Sequence, residues 1–182
     1  MLNINYLKIV PIIFILTSCY QIDNNKNQEI ISDNFSIVVP SNLERTQRLN
    51  TLSKVQFENI EEDIYFIVLE ESKRGFKDAI EHKMHKATPD LNGYLEVVVN
   101  HFREISTKFA LSDVGRTKID QCNAYIFSMT SEEPSDNLVT FYRYAIIEDN
   151  ENYYQIMSWT HLKNKKNLIG IIDEVIHSFK IK

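Results

Sequence analysis

Asp63-Ile64-Tyr65-Phe66-Ile67-Val68-Leu69 is apolar on both sides of an extended chain. Successive side chains of a strand point to opposite faces, so Ile64, Phe66 and Val68 share one side and Tyr65, Ile67 and Leu69 the other. A strand with one wet face alternates apolar and polar residues, whereas one apolar on both faces belongs inside a sheet that is covered above and below. This segment predicts a layered domain with helices on both sides of its sheet.

The sequence on either side supplies the remaining layers. Upstream, Thr51 to Ile60 alternates, with Val55 and Phe57 on one face and Lys54, Gln56 and Glu58 on an expected wet one. Phe35 to Val39 is β-rich and stops at Pro40, which cannot donate to a ladder. Downstream, Phe76, Ala79, Ile80 and Met84 recur at helical spacing. A second helix is expected from Thr88-Pro89-Asp90, with Thr88 as cap and Pro89 in the first position, and Leu95, Val98, Val99, Phe102 and Ile105 lie along one side of it. Strands follow near 111–119, 123–130, 138–147 and 153–160, the last two joined by the turn-prone Asp149-Asn150-Glu151-Asn152. Leu168, Ile171, Ile172, Val175 and Phe179 form a closing helix. The order βββααββββα predicts an α+β domain over residues 34–182, an α/β/α sandwich around a mainly antiparallel sheet.

That succession, from the Phe35–Pro40 strand to the helix running into Ser178-Phe179-Lys180, resembles the Mog1/PsbP-like fold, which includes DcrB-like bacterial lipoproteins. The resemblance implies an accessory, non-enzymatic role. Where related chains often place a glycine between the fourth and fifth strands, this chain has Asp120-Gln121-Cys122-Asn123.

The first residues carry a separate message. Met1 to Lys8 holds one positive charge, Ile9 to Leu16 is almost wholly apolar, and Thr17 and Ser18 are small, the anatomy of a secretory signal peptide over residues 1–18. The apolar run is far shorter than the roughly 20 residues that span a bilayer. Leu16-Thr17-Ser18-Cys19 resembles the bacterial lipobox. That resemblance implies cleavage between Ser18 and Cys19, a diacylglycerol thioether on Cys19, and acylation (for example with palmitate) of the new amino group. Two or three acyl chains make a stable anchor where one does not. The alternative is an ordinary secreted protein in which Cys19 pairs with Cys122. Residues 19–33, with Asn24, Asn25, Lys26 and Asn27 at their centre, read as a lipidated cysteine and flexible tether.

The 182 residues carry a net charge of −5, which becomes −6 once Lys8 leaves with the signal peptide. An acidic chain without a basic stripe argues against nucleic acid and leaves the acyl chains as the membrane contact. Tyr20 follows Cys19 where enteric lipoproteins retained in the inner membrane have Asp. The expected place is therefore the cell envelope, the outer membrane ahead of the inner, on the periplasmic face or the cell surface.

Chemistry-bearing residues are sparse. His82 and His85, three apart, would share a helix face and could approach one metal ion, with Asp78 or Glu81 adding an oxygen. The spacing is shorter than in zinc hydrolases, and a solvated face is the expected reading. No nucleophile elbow or glycine-rich phosphate loop occurs, so no catalytic residue and no cofactor is assigned. The aromatic hairpin nominates Tyr142, Tyr144, Tyr154 and Trp159 as a binding surface, against the alternative of core and cross-strand pairs. The expected function is a lipid-anchored envelope lipoprotein acting through contacts with an envelope protein. An envelope hydrolase or metal-dependent enzyme and a small-molecule carrier are the alternatives.

Overall fold

The computed structural model describes residues 27–132 and 138–182; the signal peptide, Cys19 and the first part of the tether lie outside the described residues. Strand β5 (Ile64–Ser72) is interior, as its double pattern requires: it pairs antiparallel with β4 (Val55–Asn59) on one side and β9 (Asn152–His161) on the other. Beyond β9 follow β8 (Val139–Glu148), β7 (Cys122–Glu132) and β6 (Lys108–Ile119), and β3 (Glu44–Arg45) closes the opposite edge. The result is a seven-stranded sheet in the order β3-β4-β5-β9-β8-β7-β6, with every adjacent pair antiparallel.

Side-chain parity separates two cores. Ile64, Phe66, Val68, Ala145, Tyr154 and Ile156 point to one face. There they meet Leu168, Ile172, Val175 and Ile176 of α3 (Lys165–His177), together with Phe35, Ile37 and Val39 of β2 (Phe35–Pro40). Phe127, Met129, Tyr142, Tyr144, Ile146 and Tyr153 point the other way, against Phe76 of α1 (Lys73–Glu81) and Leu91, Tyr94, Val98 and Val99 of α2 (Leu91–Ile105). Each such aliphatic or aromatic side chain, once buried, contributes about 1.5–3 kcal/mol of transfer free energy. The expected sandwich is present, with one refinement: α3 shares its face with a small sheet, β1 (Asn27–Ile31), β2 and β10 (Lys180–Ile181), in the order β1-β2-β10. No helix among the described residues is long and apolar enough to cross a membrane.

Three expectations need correction. The tether read over residues 19–33 gives way to a strand at Asn27–Ile31, because Gln28 donates to the carbonyls of Pro40 and Leu43 and Ile30 packs on the core. The wet face of β4 is covered: Gln56 is 3% and Glu58 8% exposed. The segment 46–53 folds over them, the Gln56 amide bonding the backbone of Leu49, Asn50 and Ser53, and Glu58 holding the Arg48 guanidinium at 2.5 Å. That contact holds the Glu58 carboxyl below its ordinary range. The cap of α2 is Asp90, not Thr88; its carboxylate accepts from the Gly93 amide at 2.9 Å while the Thr88 hydroxyl steadies it, and Pro89 precedes the cap.

The glycine-free turn between β6 and β7 is tight. Ile119 pairs directly with Cys122, and the two residues between them, Asp120 and Gln121, have φ of 48° and 68°. Both are left-handed, the demand of a type I′ hairpin that Gly meets best at the second position. The Asp120 carboxylate is engaged, accepting from the Ile181 amide at 2.7 Å, but Gln121 is exposed and has no such role. Gln121→Gly is therefore expected to raise stability by about 0.5–1 kcal/mol. A urea midpoint at or below that of the parent chain would show that the turn carries no strain.

Candidate functional site

The nominated residues do not form one surface. Strand parity sends Tyr154 to the α3 face, where it is 0% exposed between Phe35 and Phe179, its hydroxyl donating to Asp149 at 2.8 Å. Tyr142 and Tyr144 face α2 and are buried under Phe102. Trp159 is half-buried and stacks on Tyr65 at 5.4 Å. Three of the four rings are core, so the exposed aromatic surface is replaced by the cross-strand packing that was its alternative.

His82 and His85 are also separated. Lys83 has φ of 61°, and the Lys83 and Met84 amides donate to the carbonyls of Ile80 and Ala79, the paired bonds of a Schellman ending. Helix α1 stops at Glu81, so the two imidazoles share no helix face. His82 Nδ1 lies 2.7 Å from the Asp78 carbonyl oxygen, and the His85 ring lies 6.2 Å from that of Phe76. Among the described residues no three His, Cys, Asp or Glu side chains converge on a metal position. His161 bonds Asp63 at 2.7 Å, and His177 lies against its own helix at the Asp173 carbonyl.

What the fold does build is a groove of about 320 Å³ on the α2 face. One bank is Val97, Val98 and Phe102 of α2; the floor is Leu69, Met157 and Gln155; Asn50 of the 46–53 segment reaches the far side. His85 and His101 also line it. None of these residues is announced by a local motif; only the apolar parity of β5 and β9 hints at the floor.

Under that floor runs a one-way chain of donors. The Tyr144 hydroxyl donates to Gln155 Oε1 at 2.9 Å, Gln155 Nε2 donates to the Tyr94 hydroxyl at 2.8 Å, and Tyr94 donates to Glu71 at 2.7 Å. Burial pushes the Tyr94 and Tyr144 hydroxyls far above the ordinary phenol range, so both stay protonated donors. The chain fixes the Gln155 amide with its oxygen toward Tyr144 and its nitrogen toward Tyr94. Elsewhere, Arg143 holds Asp173 of α3 at 2.8 Å and Ser128 at 3.1 Å, tying that helix to the sheet. No buried side-chain polar atom among the described residues lacks a partner. Cys122 is a half-buried thiol with no disulfide partner among the described residues; burial pushes it up, as do Asp120, Asp149 and Glu148 beside it.

The two-faced sheet with its terminal helix has counterparts among solved structures. CyanoP, a PsbP of Synechocystis sp., is 13% identical and superposes over 92% of this chain and 99% of its own, with a TM-score of 0.58. The Ran-binding protein Mog1p of Saccharomyces cerevisiae is also 13% identical, over 86% of this chain and 96% of its own, at 0.57. LpqN of Mycobacterium tuberculosis, involved in cell envelope biogenesis, is 6% identical, over 86% and 91%, at 0.59. The chain has the Mog1/PsbP-like fold. At these identities the likeness is one of fold alone. No family model matches the sequence, and no curated protein matches it.

Within the Mog1/PsbP-like frame the groove occupies the face where α2 crosses β8 and β9. Its walls are largely apolar, and its polar lining consists of the Gln155 amide, held by the Tyr144 and Tyr94 hydroxyls, together with Asn50, His85 and His101.

Proposed function

We propose that this chain is a lipid-anchored envelope lipoprotein, held by acyl chains on Cys19, whose domain acts without catalysis by binding an envelope protein in the groove beneath α2. The observation that carries the binding half is the groove itself: apolar walls of Val97, Phe102 and Met157 around the Gln155 amide, whose orientation is fixed by buried tyrosines, with Asn50, His85 and His101 also lining it. An open concavity of this kind suits an inserted apolar side chain with one amide-compatible group, in the manner of an interface anchor. The anchor half is supported by the lipobox-like Leu16-Thr17-Ser18-Cys19 at the end of a signal peptide. Two fold neighbours fit the reading in their own roles: Mog1p binds a protein, and LpqN takes part in envelope biogenesis.

A photo-crosslinking residue at Val97 or Phe102, introduced in the full chain in its own cells, is expected to capture one discrete protein from the envelope fraction. The same probe at Lys118, on the distant β6 strand, is expected to capture none. Equal capture at both positions, or at neither, would sink the groove as the contact. Intact mass of the membrane-extracted protein tests the anchor separately, since an unmodified chain beginning at Cys19 is incompatible with acylation.

A further inference from the structure

The antiparallel ladders give the sheet two ends. The pairings Asn59↔Ile64, Tyr65↔Trp159, Thr140↔His161, Glu132↔Val139 and Lys108↔Glu132 all mark the same one. Strand β2 runs toward it: Asn42, just beyond Pro40, donates to Glu62 at 3.0 Å and accepts from Asn59. Asn27 pairs with Pro40, so the chain enters β1 at this end as well.

Four large apolar side chains are displayed there. Ile60 is 63% exposed, Ile105 55%, Leu138 48% and Leu162 42%. Leu138 and Leu162 line a shallow hollow of about 290 Å³ with Val139. Lys163, in the short 162–164 turn before α3, lines it as well, and Lys166, in the first turn of α3, is also exposed. The helix dipole disfavours cations in a first turn, and an anionic headgroup would offset that cost.

We infer that this end of the domain rests on the lipid bilayer, with Ile60, Ile105, Leu138 and Leu162 entering the boundary between headgroups and acyl chains. The inference rests on acylation of Cys19 and adds an orientation to it. Eight residue steps separate Cys19 from Asn27, a reach of at most about 26–29 Å. The ten-residue strand β9 is about 33 Å long. A domain standing on its opposite end, the one bearing Leu52 and the 149–152 turn, would hold Asn27 farther from the surface than the tether extends. The short tether thus favours this end over the opposite one as the face toward the membrane, and the exposed apolar side chains, with Lys163 beside Leu138 and Leu162, suit interfacial insertion.

The test uses the mature chain, residues 19–182, carrying Cys122→Ser and Trp159→Phe. It is coupled through the Cys19 thiol to a maleimide lipid in phosphatidylethanolamine–phosphatidylglycerol vesicles with brominated acyl chains. Single tryptophans are placed by Leu162→Trp, Ile60→Trp and, at the far end, Leu52→Trp, a position 83% exposed in the parent chain. Circular dichroism confirms that each variant is folded. Bromolipid is expected to quench the tryptophans at 162 and 60 about twofold and to leave the one at 52 unchanged, as for side chains seated in the interface. Equal quenching at the two ends, or none at 162 and 60, overturns the orientation while leaving acylation standing. Absence of acyl mass on the native protein overturns the anchor, and the physiological orientation with it, even where the coupled protein shows the quenching pattern.

Discussion

Gly93→Ala is expected to destabilise the domain by about 2 kcal/mol, against the direction that helix propensity alone dictates. Gly93 is the third residue of α2, where alanine would favour the helix by about 0.8–1.0 kcal/mol. A Cβ there would lie 2.0 Å from the Thr88 carbonyl oxygen, 2.7 Å from its nitrogen and 2.9 Å from its carbonyl carbon. All three are backbone atoms, so the relief must come from moving the segment that carries the cap. Displacing it breaks the Thr88–Asp90–Gly93 hydrogen bonds, worth about 1 kcal/mol as a cap, on top of about 1–3 kcal/mol of overpacking. Gly170→Ala is the matched control. Gly170 sits within α3, where a Cβ would meet nothing within 4 Å, and its replacement should stabilise by about 1 kcal/mol. Urea unfolding of the two variants should move in opposite directions; a shared direction would refute the close approach at Thr88.

Tyr153→Ala should cost about 4 kcal/mol, because one ring joins three elements. Tyr153 of β9 is 1% exposed, stacks on Tyr94 of α2 at 4.2 Å and meets Phe76 of α1 edge-on at 5.7 Å. Phe76 and Tyr94 are themselves edge-to-face at 4.9 Å. Burial pushes the Tyr153 hydroxyl up to about 12, consistent with a ring that stays neutral in the packed state. Removing the ring leaves a cavity beneath both helices and loosens the bank of the groove formed by α2. The variant should lose near-UV dichroism and unfold at much lower urea, while Leu52→Ala, on an exposed residue, should match the parent. A loss below about 1 kcal/mol would mean that the helices hold to the sheet by other contacts.

The layered architecture was legible because it depends on periodicity. The two-sided pattern at Ile64 to Leu69, the polar turn at Asp149 to Asn152 and the stripe from Leu168 to Val175 each announce an element whose burial is set by its own residues. What was not legible depends on distant partners. Gln56 and Glu58 look like solvent residues until the 46–53 segment covers them, and Gln28 looks like tether until it meets the carbonyls of Pro40 and Leu43. The separation of His82 from His85 was hidden for another reason: Lys83 adopts a left-handed conformation that glycine usually signals. The groove escaped for the first reason again, since Leu69, Val98, Phe102 and Met157 are brought together from separate elements. Tyr142, Tyr144 and Tyr154 read as a patch only when strand parity is ignored.

The small sheet gives the entry of the chain a mechanical character. Asn27 pairs with Pro40 and Ile31 with Ser36, so β1 lies along β2 with its first residue at the end of the domain nearest Ile60. A pull on Asn27 away from that end acts along the axis of β1. It would have to slide the strand past its neighbour, stressing the whole five-residue ladder at once, instead of opening the pairs one after another. Shear of this kind resists force far better than peeling, and β10, on the other edge of β2, lies outside the path of the tension.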